Sequence, residues 1–200
     1  LVRPTGSGGI QAKTANMNYV TGNMIASTLS TSGVANCEVL TVAPFEVSGT
    51  GALTGAMMAY ETASGGALDP NKKALGNKEL VITGEIAATV GQEQATLVVN
   101  DIKIHIVRDS VTEEQEVRGV VDDVIATTEQ AADEAAARLG QEAPKKLDQE
   151  QHETLYNFGY EYSQMGYQYK DLQATLERVT RNVTKSTGIV DPITDTFTTD

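Results

Sequence analysis

The feature that most constrains this chain is an unbroken three-four repeat of apolar residues near its C-terminal end. Leu155, Phe158, Tyr162, Met165, Tyr169, Leu172, Leu176, Val179 and Val183 alternate steps of three and four over four heptads. An α-helix turns every 3.6 residues, so this spacing keeps one narrow apolar stripe on one side and requires a partner to cover it. The repeat predicts one long helix over residues 147–185, with a coiled-coil-like seam.

A second helix is expected before it. Ser110 with Glu113 and Thr112 with Gln115 form two overlapping capping-box patterns. Val117, Val121, Val124, Thr128, Ala131 and Ala135 then follow at helical spacing up to Gly140. A connection around Ala143 favours antiparallel neighbours, setting Ala131 against Leu155, Thr128 against Phe158 and Val124 against Tyr162. At 1.5 Å per residue the second helix would overhang the first by roughly 18 Å, leaving Leu176, Val179 and Val183 uncovered. An uncovered apolar stripe marks an interaction site. Gly159 and Gly166 lie seven apart beside the seam and would admit a close backbone. Tyr156, Tyr160 and Tyr167 cluster nearby with the apolar body and polar tip common at interfaces. Those nine residues, Leu172, Leu176, Val179, Val183, Gly159, Gly166, Tyr156, Tyr160 and Tyr167, constitute the candidate protein interface.

Upstream, residues 79–108 suggest an antiparallel β unit. Leu80, Ile82, Ile86, Ala88 and Val90 fall on one period-two row with Gly84 between them, where a bulge or a close approach is expected. Thr96–Val99 and Ile102–Arg108 read as two strands around an Asn100–Asp101 turn, with Ile102, Ile104 and Ile106 inward and Lys103 and His105 toward solvent. Residues 1–78, rich in Gly, Ala and Thr, read as an extended arm or small β region, with a strand through Val39–Val47 that is stopped or forced to an edge by Pro44. Residues 110–186 form the helical hairpin and 187–200 an extended tail. The fold class expected is α+β.

Chemical motifs are missing. The glycines at Gly8, Gly9, Gly49 and Gly51 lack the Lys and Ser/Thr of a phosphate loop. The single cysteine, Cys37, excludes an internal disulfide and a multi-cysteine metal site, and His105 has only the distant His152 as a second imidazole. Catalytic, cofactor-binding and metal-binding residues are therefore assigned as none, and the protein is read as a non-enzyme. A net charge of -12 opposes binding to a phosphate backbone, so nucleic acid is not an expected partner. No apolar run is long enough for a membrane span. The Asn182–Thr184 sequon sits on the helical seam, where glycosylation is not expected. The chain opens on Leu1 rather than Met, as a processed start or a piece of a larger product would.

One stretch carries a resemblance. Thr96–Val99, Asn100–Asp101, Ile102–Ile104 and the aliphatic pairs of Val120–Ile125 resemble a strand-turn-strand-helix module of flagellins and bacteriophage tail proteins, over under a fifth of the chain. Asp101 stands where glycine is common there, and the bridge to the helix is longer and more charged. The resemblance implies a self-assembling part with no catalytic residues. The function expected is a structural subunit of a large symmetric homo-oligomer that contacts itself and other structural proteins. The first form considered is a virion component, the alternatives being a secreted, extracellular filament or appendage subunit, or a helical adaptor for a partner protein.

Overall fold

A computed structural model describes residues 1–190. In it a three-stranded sheet and seven helices follow one another as β1 (Val2–Pro4), β2 (Ile10–Met17), α1 (Gly22–Thr31), β3 (Cys37–Val47), α2 (Ala52–Ser64), α3 (Pro70–Val90), α4 (Gln92–Arg108), α5 (Glu114–Leu139), α6 (Gln149–Ser163) and α7 (Tyr169–Thr187). The class is α+β. Local periodicity locates its β structure wrongly, however: among the described residues all the strands lie in the first 47.

The sheet has the order β1-β3-β2, with β3 parallel to β2 and antiparallel to β1. Residues 1–78 are thus a folded sheet-and-helix unit rather than an extended arm. Their small side chains let backbones approach: a Cβ on Gly22 at the start of α1 would lie 2.6 Å from the Ala12 carbonyl oxygen of β2. Ile10, Cys37 and Val39 point to the helical side and are buried, packing in one apolar cluster with Met24, Ile25 and Leu29 of α1 and Leu53 and Met57 of α2. Burial pushes the Cys37 thiol up to about 12, so it stays protonated and unreactive at neutral pH.

The expected β unit at 79–108 is instead two helices meeting at Gly91, whose φ of 87° and ψ of 158° suit glycine. Thr96–Val99 and Ile102–Arg108 are consecutive turns of α4, and Asn100–Asp101 is helical. The reason is burial on all sides. Every residue from Gln94 to Ile104 is buried, the polar Gln94, Thr96, Asn100, Asp101 and Lys103 included, so α4 is enclosed around most of its circumference and its polar positions do not mark a solvent face. Asn100 is no turn former here: its amide donates to the Leu176 carbonyl at 2.9 Å and to Thr180 Oγ1 at 2.8 Å on α7. Lys103, expected on the solvent side, is fully buried. Gly84 does mark a close approach, since a Cβ there would overlap the Tyr19 ring and hydroxyl.

The helical hairpin forms with a different register and a break. Arg118 bonds Glu153 at 3.1 Å, the Tyr156 hydroxyl donates to Asp122, and Leu147 N–H donates to Glu129 at 3.0 Å. These pairs set α5 antiparallel to α6, about three turns from the expected register, because residues 141–148 fold back along α5 instead of turning tightly near Ala143. The apolar repeat does not lie on one helix: the chain leaves the helix at Gln164 and resumes it at Tyr169, and Gly166 adopts a φ of 68°. The part of the tail at 191–200 lies outside the described residues.

Candidate functional site

The strand register arranges the sheet's other face. Leu1 stands across from Leu40 through a mutual backbone pair, and Lys13 is aligned with Leu40 on the far side. Arg3, Glu38 and Gln11 form the next row, and Val42 with Ala15 the row beyond. Side chains alternate across a sheet, so all these residues share the face opposite Ile10 and Val39. Leu1 is 85% exposed, Leu40 43% and Val42 58%. Their neighbours Arg3 and Glu38 form an ion pair with each other.

The edge of β3 adds to this surface. β1 pairs only with Cys37–Val39, and the Leu1–Leu40 contact extends that pairing by one residue. From Thr41 to Val47 the β1 side of β3 has no partner strand among the described residues. Asn16 Nδ2 donates to the Ala43 carbonyl from the β2 side, so the backbone of Pro44 points to the open side, where a missing N–H costs nothing. The expectation of an edge strand at Pro44 holds. Phe45 stands 70% exposed on this segment, and Leu1, Leu40, Val42 and small residues of α2 line a shallow apolar hollow.

A deeper cleft of about 630 Å³ runs where β2, α1 and α7 meet. Its charged lining residues are Arg3, Lys13, Arg178 and Glu38, and Leu1 and Leu40 connect it to the apolar hollow. Arg178 donates to the Gly8 carbonyl at 2.7 Å.

The nine expected interface residues do not come together as one surface. Leu172, Leu176, Val179 and Val183 are 4%, 0%, 0% and 0% exposed, sealed within the chain's own cores. The overhang on which the expected interface rested does not exist, because α7 packs on α4 and α1. Gly159 admits a close neighbour as expected, but the neighbour is internal: a Cβ there would lie 3.1 Å from Val117 Cγ1. Gly166 is in the break between α6 and α7 rather than on a helical stripe. Tyr167 stacks on Tyr162 with centroids 4.4 Å apart and donates to the Thr31 carbonyl at 2.5 Å. Burial holds the hydroxyl of Tyr167 well above its ordinary range. Tyr156 bonds Asp122, which pushes its pKa up to about 12, and Tyr160 alone of the three tyrosines is largely exposed, at 40%. The outer sheet residues were missed. Their one sequence signal was the alternation Val39, Leu40, Val42 with Pro44, which gives an edge but not which face lacks a cover.

Two other groupings bring ionisable side chains together. Lys103 and Glu79 form an ion pair at 2.9 Å, but both side chains are fully enclosed, so it is a structural node. His105 bonds Asp109 and Arg108 on the surface, far from His152 in sequence. Among the described residues no group of three or more His, Cys, Asp or Glu could hold a metal ion, and no helix is long and apolar enough to cross a membrane.

The comparisons with known proteins place this fold in a family. A family model described as "Protein of unknown function (DUF1002)" matches residues 1–179, and the chain belongs to that family. It is also similar to the "Uncharacterized protein YpuA" of Bacillus subtilis (strain 168), with 35% identity over 131 residues, which are 66% of this chain and 42% of that protein. The match therefore spans under half the length of that relative. No solved structure matches.

Proposed function

We propose that this chain is a non-enzymatic subunit that associates with further copies of itself through the outer face and open edge of its sheet. The observation that carries the reading is the uncovered face: among the described residues helices pack on one side of the sheet, and the other presents Leu40 and Val42 to solvent. Covering a Leu or Val side chain fully contributes about 1.5–3 kcal/mol each, so the pair supplies a useful part of an association free energy. The patch is also self-complementary in charge. The ion-paired Arg3 and Glu38 lie side by side on it, and a two-fold partner can set its Glu38 against Arg3 and its Arg3 against Glu38. The open edge from Thr41 to Val47 offers backbone groups for strand pairing beside this patch.

The narrower expectation of a virion part finds no such support. The stretch that resembled tail and flagellin modules would need strands at 96–99 and 102–104, and these residues are helical.

The test is light-scattering mass across a concentration series for the native chain and for the double variant Leu40→Lys, Val42→Lys. Both positions are outside the core, so the fold should persist. The native chain should rise above its 21.3 kDa monomer mass with concentration, and the variant should need at least tenfold higher concentration to do so. A native chain that stays at 21.3 kDa throughout would overturn the reading.

A further inference from the structure

We infer that the cleft between β2, α1 and α7 is a binding site for a small anionic ligand, one carrying a phosphate or carboxylate group. The chain as a whole is strongly acidic, with a net charge of -12, yet the charged lining of this cleft is three cations against one carboxylate. That carboxylate, Glu38, is neutralised by Arg3. The ammonium of Lys13 has no hydrogen bond or ion pair among the described residues.

Arg178 is held in a way that leaves its charge available. One terminal nitrogen donates to the Gly8 main-chain carbonyl at 2.7 Å, while Nε is shielded from solvent with no acceptor among the described residues. No carboxylate among the described residues pairs with it, whereas Arg181, three residues on, pairs with Glu177 at 3.6 Å. A guanidinium fixed by a neutral carbonyl keeps its full charge and its remaining donors for an anion.

The rest of the lining fits a small molecule with an anionic group and an apolar body. Ala26 and Val179, 4% and 0% exposed, give the cleft buried apolar walls. Asn182 and Asn23 line it as well and bond each other at 3.1 Å, with Asn23 also donating to Glu93 at 2.8 Å. Gly22 and Asn23 open α1, whose first N–H groups have no intrahelical partner and favour negative charge in addition. A volume near 630 Å³ lies in the range of small-molecule sites. The site shares Leu1, Arg3, Glu38 and Leu40 with the proposed association face, so it is tested on the monomer, in which Lys13 and Arg178 line the cleft without a second copy.

The test is isothermal titration of the chain, at concentrations where it is monomeric, with inorganic phosphate and separately with citrate, using sodium chloride at matched ionic strength as the blank. One saturable site is expected for at least one probe. Lys13→Gln and Arg178→Gln should each weaken it about tenfold, while Lys170→Gln, an exposed lysine on α7 outside the cleft, should leave it unchanged. Saturation by phosphate alone would assign a phosphorylated ligand, and saturation by citrate alone a carboxylated one. No saturation by either probe, or equal affinity in Lys13→Gln, would overturn the inference. Lys13 is exposed, so that variant decides the matter even if Arg178→Gln fails to fold.

Discussion

Lys103 carries a charge that is fully enclosed by the protein. Its Nζ reaches Ser27 O at 3.0 Å, Ser27 Oγ at 2.7 Å, Thr31 Oγ1 at 3.2 Å and Glu79 Oε1 at 2.9 Å, tying α4 to α1 and α3. Burial pushes the ammonium pKa down, and Glu79 holds it up in part. Ser27 and Thr31 also donate to Glu79, so every member of this node leans on the others. Removing one charge leaves the other buried without its partner. Lys103→Met should therefore cost about 3–5 kcal/mol in urea unfolding, and adding Glu79→Leu should recover much of that loss. A Lys103→Met change within about 0.5 kcal/mol of the native chain would show that the pair is solvated. Sequence alternation had put Lys103 on a wet strand face; nothing local distinguishes a lysine that snorkels from one met by three partners from other elements.

At the scale of elements, legibility followed amphipathicity. α5 was readable because Val117, Val121 and Val124 fall on one buried stripe with an acidic face opposite. The apolar positions of the C-terminal repeat were readable for the same reason, as Leu155, Phe158, Leu176 and Val179 are all fully buried. The break at Gly166 was not, since the repeat runs through it without losing phase. α3 hides its helical row by placing the buried Glu79 between Leu75 and Ile82, which leaves β-branched Val81, Ile82 and Thr83 to suggest a strand. α4 buries polar as well as apolar residues, so its polar positions do not betray its period, and Ile102, Ile104 and Ile106 alternate with Lys103 and His105 as a strand would. Capping was only partly legible. α5 starts at Glu114 with no side-chain cap, so the Ser110 and Thr112 patterns are not used. The capping box that forms is Asp148 with Gln151 at the head of α6. Asp148→Ala should thus cost about 1 kcal/mol in chemical unfolding, whereas Ser110→Ala should stay within about 0.5 kcal/mol. Equal losses would place the working cap elsewhere.

For the whole molecule, two buried clusters account for the order of the chain. One joins the sheet to α1, α2 and the end of α7, with Leu97 of α4 and the alanines of α5; the other fills the space among α3, α4, α5, α6 and the start of α7. α7 takes part in both, which is why its apolar stripe has no surface left for a second chain. The candidate interaction surface passes instead to the sheet, whose outer face no helix covers among the described residues. Whether a face is covered depends on where distant elements pack, and no local pattern in residues 37–47 encodes it.

The most direct measurement of that central claim is amide hydrogen exchange of the β3 segment Thr41–Val47, followed from dilute to concentrated protein. Association through the sheet predicts slower exchange at Val42 and Glu46 as concentration rises, with amides in the middle of α4 unchanged. Exchange in β3 that is independent of concentration, while the mass rises above 21.3 kDa, would contradict it and place the contact on another surface.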